Sequence, residues 1–225
     1  MIGLRRGVVG KTVDPNLKLE LKFNSQVFTD VAGTVAAGTN DYVRAWRSTV
    51  GGHLLTQATD AARPQRQSDG LYFDGGDTVA MTVPANWLTG DFTLRLWANV
   101  PPMLALSQVN GGSSAAIILF GTNGLYTSNN GTSWAISGIS IGGASAVWAH
   151  YAIAGNGANI RTYKDGVQVA SQAYTAGLYY NSTNQIVLGK YYGGSTMTGK
   201  MTDIQLYSEC LYPNGTSFTP PARSA

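Results

Sequence analysis

The chain has 225 residues, a net charge of +3, 12% charged residues and 28 glycines. That length suits one large domain that buries its core without staples, and the weak, scattered charge argues against nucleic acid as the main partner. No apolar run approaches the roughly 18 residues of a membrane helix, and a lone cysteine, Cys210, leaves no internal disulfide to form.

Residues 1–16 read as an arm. Arg5, Arg6 and Lys11 give it a positive bias, and Ile2, Leu4, Val8 and Val9 give it apolar anchors. Such an arm either docks on a partner or adds an edge strand to its own sheet. Met1–Gly7 lacks the continuous apolar core of a secretory signal. The sequons at Asn130, Asn181 and Asn214 are therefore expected to carry no glycan.

Leu17, Leu19, Leu21 and Phe23 alternate with Lys18, Glu20 and Lys22, the period of a half-buried strand. Residues 30–70 read as a long excursion with one or two short strands. Leu71–Phe73 and Val79–Val83 follow as strands around the turn Asp74-Gly-Gly-Asp77. Phe92, Leu94, Leu96, Ala98 and Val100 share one strand face, and Pro101-Pro102 ends that strand because neither proline donates to a ladder. Ala115–Phe120 reads as a buried strand.

Gly121–Gly143 is rich in Gly, Ser and Asn, with Tyr126 and Trp134 standing among polar turn residues. Trp148–Ile153 alternates again. Asp165-Gly166 supplies the positive φ angles of a two-residue hairpin turn. That turn pairs Lys164 with Val167 and Thr162 with Val169, and sets Ile160, Val167 and Val169 toward the core. Ile186–Leu188 and Met201–Tyr207 complete the strands, and no helical period is sustained.

Four of these segments in fixed order carry a resemblance. They are Phe73–Asp77, Asp91–Trp97, Trp148-Ala-His150 with Asp165-Gly166, and Gly199–Tyr207. Together they resemble the laminin G-like domains of bacterial and phage proteins. The resemblance implies an all-β, concanavalin A-like antiparallel jelly-roll sandwich with an extended N-terminal arm. The expected divisions are an arm at 1–16, the sandwich at 17–212 and a tail at 213–225. The close Phe218-Thr-Pro-Pro221 resembles that of laminin G-like virion proteins. Thr202 stands where the family pattern carries the first of two aspartates.

Chemistry is sparse. The two glutamates, Glu20 and Glu209, lie near opposite ends of the sequence, and no strand sets two carboxylates on one face, as retaining glycoside hydrolysis needs. His53 and His150 are the only histidines. His150 reads as a hydrogen-bonded structural residue, and one Cys with two His at unrelated spacing excludes an ordinary zinc site. Asp69, Asp74 and Asp77 are calcium candidates by donor type, but an Asp-Gly-Gly-Asp run is equally a turn. No cofactor is implied otherwise.

Trp87, Tyr126, Trp134, Tyr179, Tyr180, Tyr191 and Tyr192 lie in or beside polar turns. Tyr126 and Trp134 are the best placed of these for glycan binding, while the others suit packing or protein contact. The expected function is thus non-enzymatic. The first reading is a phage virion decoration protein, made in the host cytoplasm, that docks on a major capsid protein or another virion protein through Ile2, Leu4, Arg5, Arg6, Val8, Val9 and Lys11. The second is an adhesin module that binds a host glycan. Neither reading involves nucleic acid or a membrane, and either is compatible with a homo-oligomer.

Overall fold

A computed structural model describes residues 14–84, 87, 90–99, 117–120, 124–130, 132–143, 146–175, 178, 185–189 and 196–224. The arm residues Ile2, Leu4, Arg5, Arg6, Val8, Val9 and Lys11 lie outside these, as do Tyr179, Tyr180, Tyr191, Tyr192 and Asn181.

The described chain is strands joined by turns. In chain order these are β1 Leu17–Leu21, β2 Val27–Phe28, β3 Ala45–Arg47, β4 Leu54–Thr56, β5 Gln65–Arg66, β6 Leu71–Asp74, β7 Val79–Thr82 and β8 Phe92–Asn99. There follow β9 Ile117–Phe120, β10 Gly124–Thr127, β11 Ile136–Ile139, β12 Ala149–Gly155, β13 Asn159–Lys164, β14 Val167–Ala173, β15 Gln185–Leu188 and β16 Thr198–Tyr207. The excursion of residues 30–70 holds three short strands, β3 to β5, and one short 3-10 turn at Asp60–Ala62.

The large sheet runs β14-β13-β12-β8-β16-β6-β5. The long strand β16 serves two partners on one side: Thr198–Met201 pair with β6, and residues 204–207 pair with β1. A register shift between Thr202 and Gln205 separates the two halves, and Asp203 there takes a positive φ of 50°. An extra residue of this kind bends a strand and strengthens its twist. The second sheet runs β15-β7-β4-β3-β2, and a third, of three strands, runs β11-β10-β9.

Period-two alternation explains the core. Phe92, Leu94, Leu96 and Ala98 of β8, Leu71 and Phe73 of β6, and Met201, Ile204 and Leu206 of β16 face inward. Trp46, Leu55, Val79, Ile186 and Leu188 of the second sheet meet them in one apolar cluster. Each such side chain contributes about 1.5–3 kcal/mol on leaving water. Trp46 is fully buried, and its indole N–H donates to the Lys22 carbonyl at 3.1 Å.

The Asp165-Gly166 hairpin forms as expected, with φ of 50° and 79°, and Lys164 pairs with Val167. The register then shifts. Tyr163 pairs with Gln168, and Thr162 pairs with Ala170 rather than Val169. The expected core face of β14 does not hold: Val167 keeps its pairing with Lys164 but is 59% exposed, while Ile160 stays buried. Trp87 is a packed ring. It is 9% exposed and packs edge-on against His53 with centroids 4.6 Å apart.

Candidate functional site

Outer-face side chains of the large sheet fall in cross-strand rows. Thr202, Trp97 and His150 form one row; Gln205, Arg95, Ala152, Tyr163 and Gln168 form the next. Residues 208–224 lie across them as a strap. Tyr212 and Phe218 stack on each other at 3.8 Å with their planes 2° apart, and both pack edge-on against Tyr163. The Phe218 N–H donates to the Gly166 carbonyl at 2.9 Å, and Trp97 donates its indole N–H to the Pro221 carbonyl at 3.1 Å. Arg95 donates to Gln205, Tyr212 and Tyr207 at 2.7, 3.0 and 2.9 Å. Ser224 closes the strap with two bonds to the Asp203 carboxylate. The Phe218–Pro221 close is therefore a built part of the sandwich.

His150 lies under the strap, 1% exposed, between the rings of Trp97 and Phe218. Neither ring nitrogen has a hydrogen-bond partner, so the expected hydrogen-bonded histidine is instead an aromatic packing element. Burial first, and then the Arg95 charge, push its pKa down to about 4, against a smaller opposing pull from Asp165. It is neutral at neutral pH.

The calcium candidates are not brought together as a donor cage. Asp77 is 4% exposed and accepts from the Asp74 backbone N–H at 2.9 Å, while Asp74 accepts from the Gly76 N–H at 2.9 Å. Asp69 binds the Lys200 ammonium at 2.7 Å and the Trp148 indole at 3.2 Å. These are turn and ion-pair duties. Among the described residues no three of His, Cys, Asp and Glu are grouped to hold a metal.

Folding brings the two glutamates to one strand pair despite their separation in sequence. Glu20 sits on β1 opposite Gln205, and Glu209, just beyond β16, accepts from Asn16 of the turn before β1 at 3.1 Å. Burial pushes the Glu20 carboxyl up, but bonds from Thr49 and Gln205 and the neighbouring Lys22 outweigh it and hold the pKa below the usual range. An ionised, fully bonded carboxylate is poorly set for general-acid work, which needs a raised pKa.

Tyr126 and Trp134 do come together. On β10, Leu125 and Thr127 are buried, so the intervening Tyr126 points to the opposite face. Its ring meets Trp134 edge-on at 5.5 Å and 66°. The turn between them is braced by Asn130, whose side-chain oxygen accepts from the backbone N–H groups of Thr132 and Ser133 at 2.9 and 3.0 Å. Pairing resumes with the Ala135 N–H on the Thr127 carbonyl at 2.8 Å. Two half-exposed rings thus sit on a fixed hairpin beside exposed Asn130, Thr132 and Ser133. Flat apolar ring faces flanked by hydroxyl and amide groups suit a sugar, which offers both a C–H face and hydroxyls.

Sequence reading missed Tyr42, at 54% the most exposed aromatic side chain among the described residues. The Arg63 guanidinium stands 5.3 Å from its ring centre. The available signal was local: Tyr42 directly precedes the buried Val43, and neighbours on a strand face opposite ways.

Residues 73–214 match the model of the concanavalin A-like lectin/glucanases superfamily, and the chain belongs to that family. No curated protein sequence matches the chain. Solved structures share the fold. The binding domain of Paraclostridial Mosquitocidal Protein 1 is 14% identical with a TM-score of 0.58, covering 87% of this chain and 49% of its own. Trypanosoma rangeli sialidase in complex with sialic acid is 16% identical with a TM-score of 0.57, covering 88% and 32%. The binding domain of botulinum neurotoxin DC in complex with SialylT is 15% identical with a TM-score of 0.52, covering 87% and 48%. The chain thus spans about half of the toxin binding domains and about a third of the sialidase.

Proposed function

We propose that this domain is a carbohydrate-binding module. The observation that carries the reading is the Tyr126–Trp134 pair, which the fold brings together on an Asn130-braced hairpin. Family membership supports it, as do structural neighbours whose own structures contain sialic acid or SialylT. A glycan array probed with the full chain tests the proposal. At least one glycan binds, and Trp134→Ala removes that binding while leaving the melting transition in place. An array without a hit overturns it.

The module's placement is a second proposal: display on a phage virion, docked on a capsid or other virion protein. Its support is the resemblance of Phe218-Thr-Pro-Pro221 to the close of virion proteins, together with the basic and apolar residues Ile2 to Lys11. Apolar residues would supply most of the docking affinity, and Arg5, Arg6 and Lys11 the association rate. A chain lacking residues 1–13 should fail to sediment with capsids; undiminished co-sedimentation rules out docking through those residues.

A further inference from the structure

The outer face of the large sheet has a half that the strap leaves open. Register sets Lys200 opposite Tyr72, Tyr72 opposite Gln65, and Gln65 opposite Tyr42. Directly paired residues of antiparallel strands share a face. Met201, Leu71, Phe73 and Val43 point into the core, so this row points outward. Arg63, two residues before Gln65, reaches over the Tyr42 ring. At the border of the row Arg223 of the strap donates to the Asp69 carbonyl at 3.1 Å and covers the Trp148 ring at 4.4 Å.

Each cation of the row lies beside a carboxylate. Lys200 lies 2.7 Å from the Asp69 carboxylate, and the Arg63 Nε lies 3.9 Å from that of Asp60. The Gln65 carboxamide is held by donating to the Asn40 carbonyl at 2.9 Å and accepting from Gln67 at 3.4 Å, which leaves one N–H and one lone pair to offer. Two tyrosine rings therefore flank an amide, and the two cations of the row, Arg63 and Lys200, each lie beside a carboxylate, that of Asp60 being shared with Arg44.

We propose that this row binds a neutral, linear oligosaccharide laid across the strands. Tyr42 and Tyr72 stand two strand positions apart, about 10 Å, a span that suits alternate sugar rings of an extended chain. Each tyrosine stacks on the C–H face of one sugar, and Gln65 bonds the hydroxyls of the sugar between them. Paired charges suit a ligand rich in hydroxyls and poor in charge. A protein partner would need a far larger, more apolar patch for a stable interface. The row shares no residue with the Tyr126–Trp134 hairpin and stands as a second carbohydrate site.

Isothermal titration calorimetry of the full chain with cello-, xylo- and manno-oligosaccharides of two to six units tests the proposal. At least one series binds, with affinity rising from the dimer to the tetramer. Tyr42→Ala and Tyr72→Ala each weaken it at least about tenfold, roughly 1.4 kcal/mol, with an unchanged melting transition for Tyr42→Ala, whose ring is already in solvent. Trp134→Ala leaves this event in place. The proposal is overturned if no neutral series binds, or if both tyrosine variants bind as the parent does. Binding lost in Trp134→Ala alone also overturns it, while sparing the hairpin reading.

Discussion

The two halves of the large sheet's outer face use the same strands and the same alternation to opposite ends. Beneath residues 208–224, Trp97, His150 and Tyr163 are sealed by Tyr212, Phe218 and Pro221. Beyond Asp69, residues 208–224 do not cover the row from Lys200 to Tyr42, whose Tyr42 ring is 54% exposed. The difference lies in the covering chain rather than in the sheet. Where the chain returns, a polar outer face becomes a second small core of Ala152, Ala154 and Tyr163 with Cys210, Tyr212 and Phe218. Away from it lie Tyr42, Gln65 and Tyr72, the groups proposed above to bind sugar.

The sharpest way to break the sealed half is Gly166→Ala. A Cβ there would stand 1.8 Å from the Phe218 carbonyl oxygen, on a backbone with φ of +79° that side chains rarely adopt. Forced displacement of the strap plus backbone strain should cost about 3 kcal/mol. Denaturant unfolding reads the loss, and hydrogen exchange should show residues 208–224 losing protection first. A wild-type midpoint would mean that the strap is not held by this contact.

Acid tests the same half through His150. Its pKa falls from 6.5 to about 4 on burial, so the folded protein binds fewer protons than the unfolded chain between those values. The stability this gives is complete above about pH 6.5 and is lost as pH falls toward 4. Asp77 works in the opposite direction. Burial raises its carboxyl to about 6, so its contribution grows as pH falls from 6 toward 3.8. The difference between the parent and His150→Phe isolates the imidazole. From pH 7.5 to 4.5 the parent should lose about 2.5 kcal/mol relative to that variant; parallel stability curves would contradict the unpaired, buried imidazole.

Smaller effects fall on the open surfaces. Trp134→Ala should weaken glycan binding at least about tenfold and shift stability by less than about 1 kcal/mol, since the ring is only half-buried. Lys200→Met removes a partly exposed ion pair with Asp69 and should change unfolding free energy by less than about 1 kcal/mol. A larger loss would make the open row a structural element rather than a surface.

Much of the sandwich was legible because its signals are local. Alternation in Phe92–Ala98 and Leu17–Leu21 marked strands with one buried face, and Asp165-Gly166 marked a hairpin whose turn forms as read. What failed depended on distant chain. The register shift at Thr162 and Tyr163 sets Thr162 opposite Ala170, and no residue in the hairpin announces it; Val167, paired with Lys164 as read, is nonetheless exposed. His150 was read with partners because a buried imidazole usually has them; its neighbours are rings supplied by Trp97 and by Phe218, far away in sequence. Of the candidate sites, the Tyr126–Trp134 pair was legible because both rings lie in one hairpin. The Tyr42–Gln65–Tyr72 row was not, since cross-strand register is invisible in the sequence of any one strand.

The most direct test of carbohydrate binding is a glycan array probed with the full chain and with the double variant Trp134→Ala/Tyr42→Ala. The parent should bind at least one glycan class, and the double variant should bind none while keeping its melting transition. A parent without hits, or a double variant whose hits are undiminished, would contradict the assignment of binding to these exposed rings.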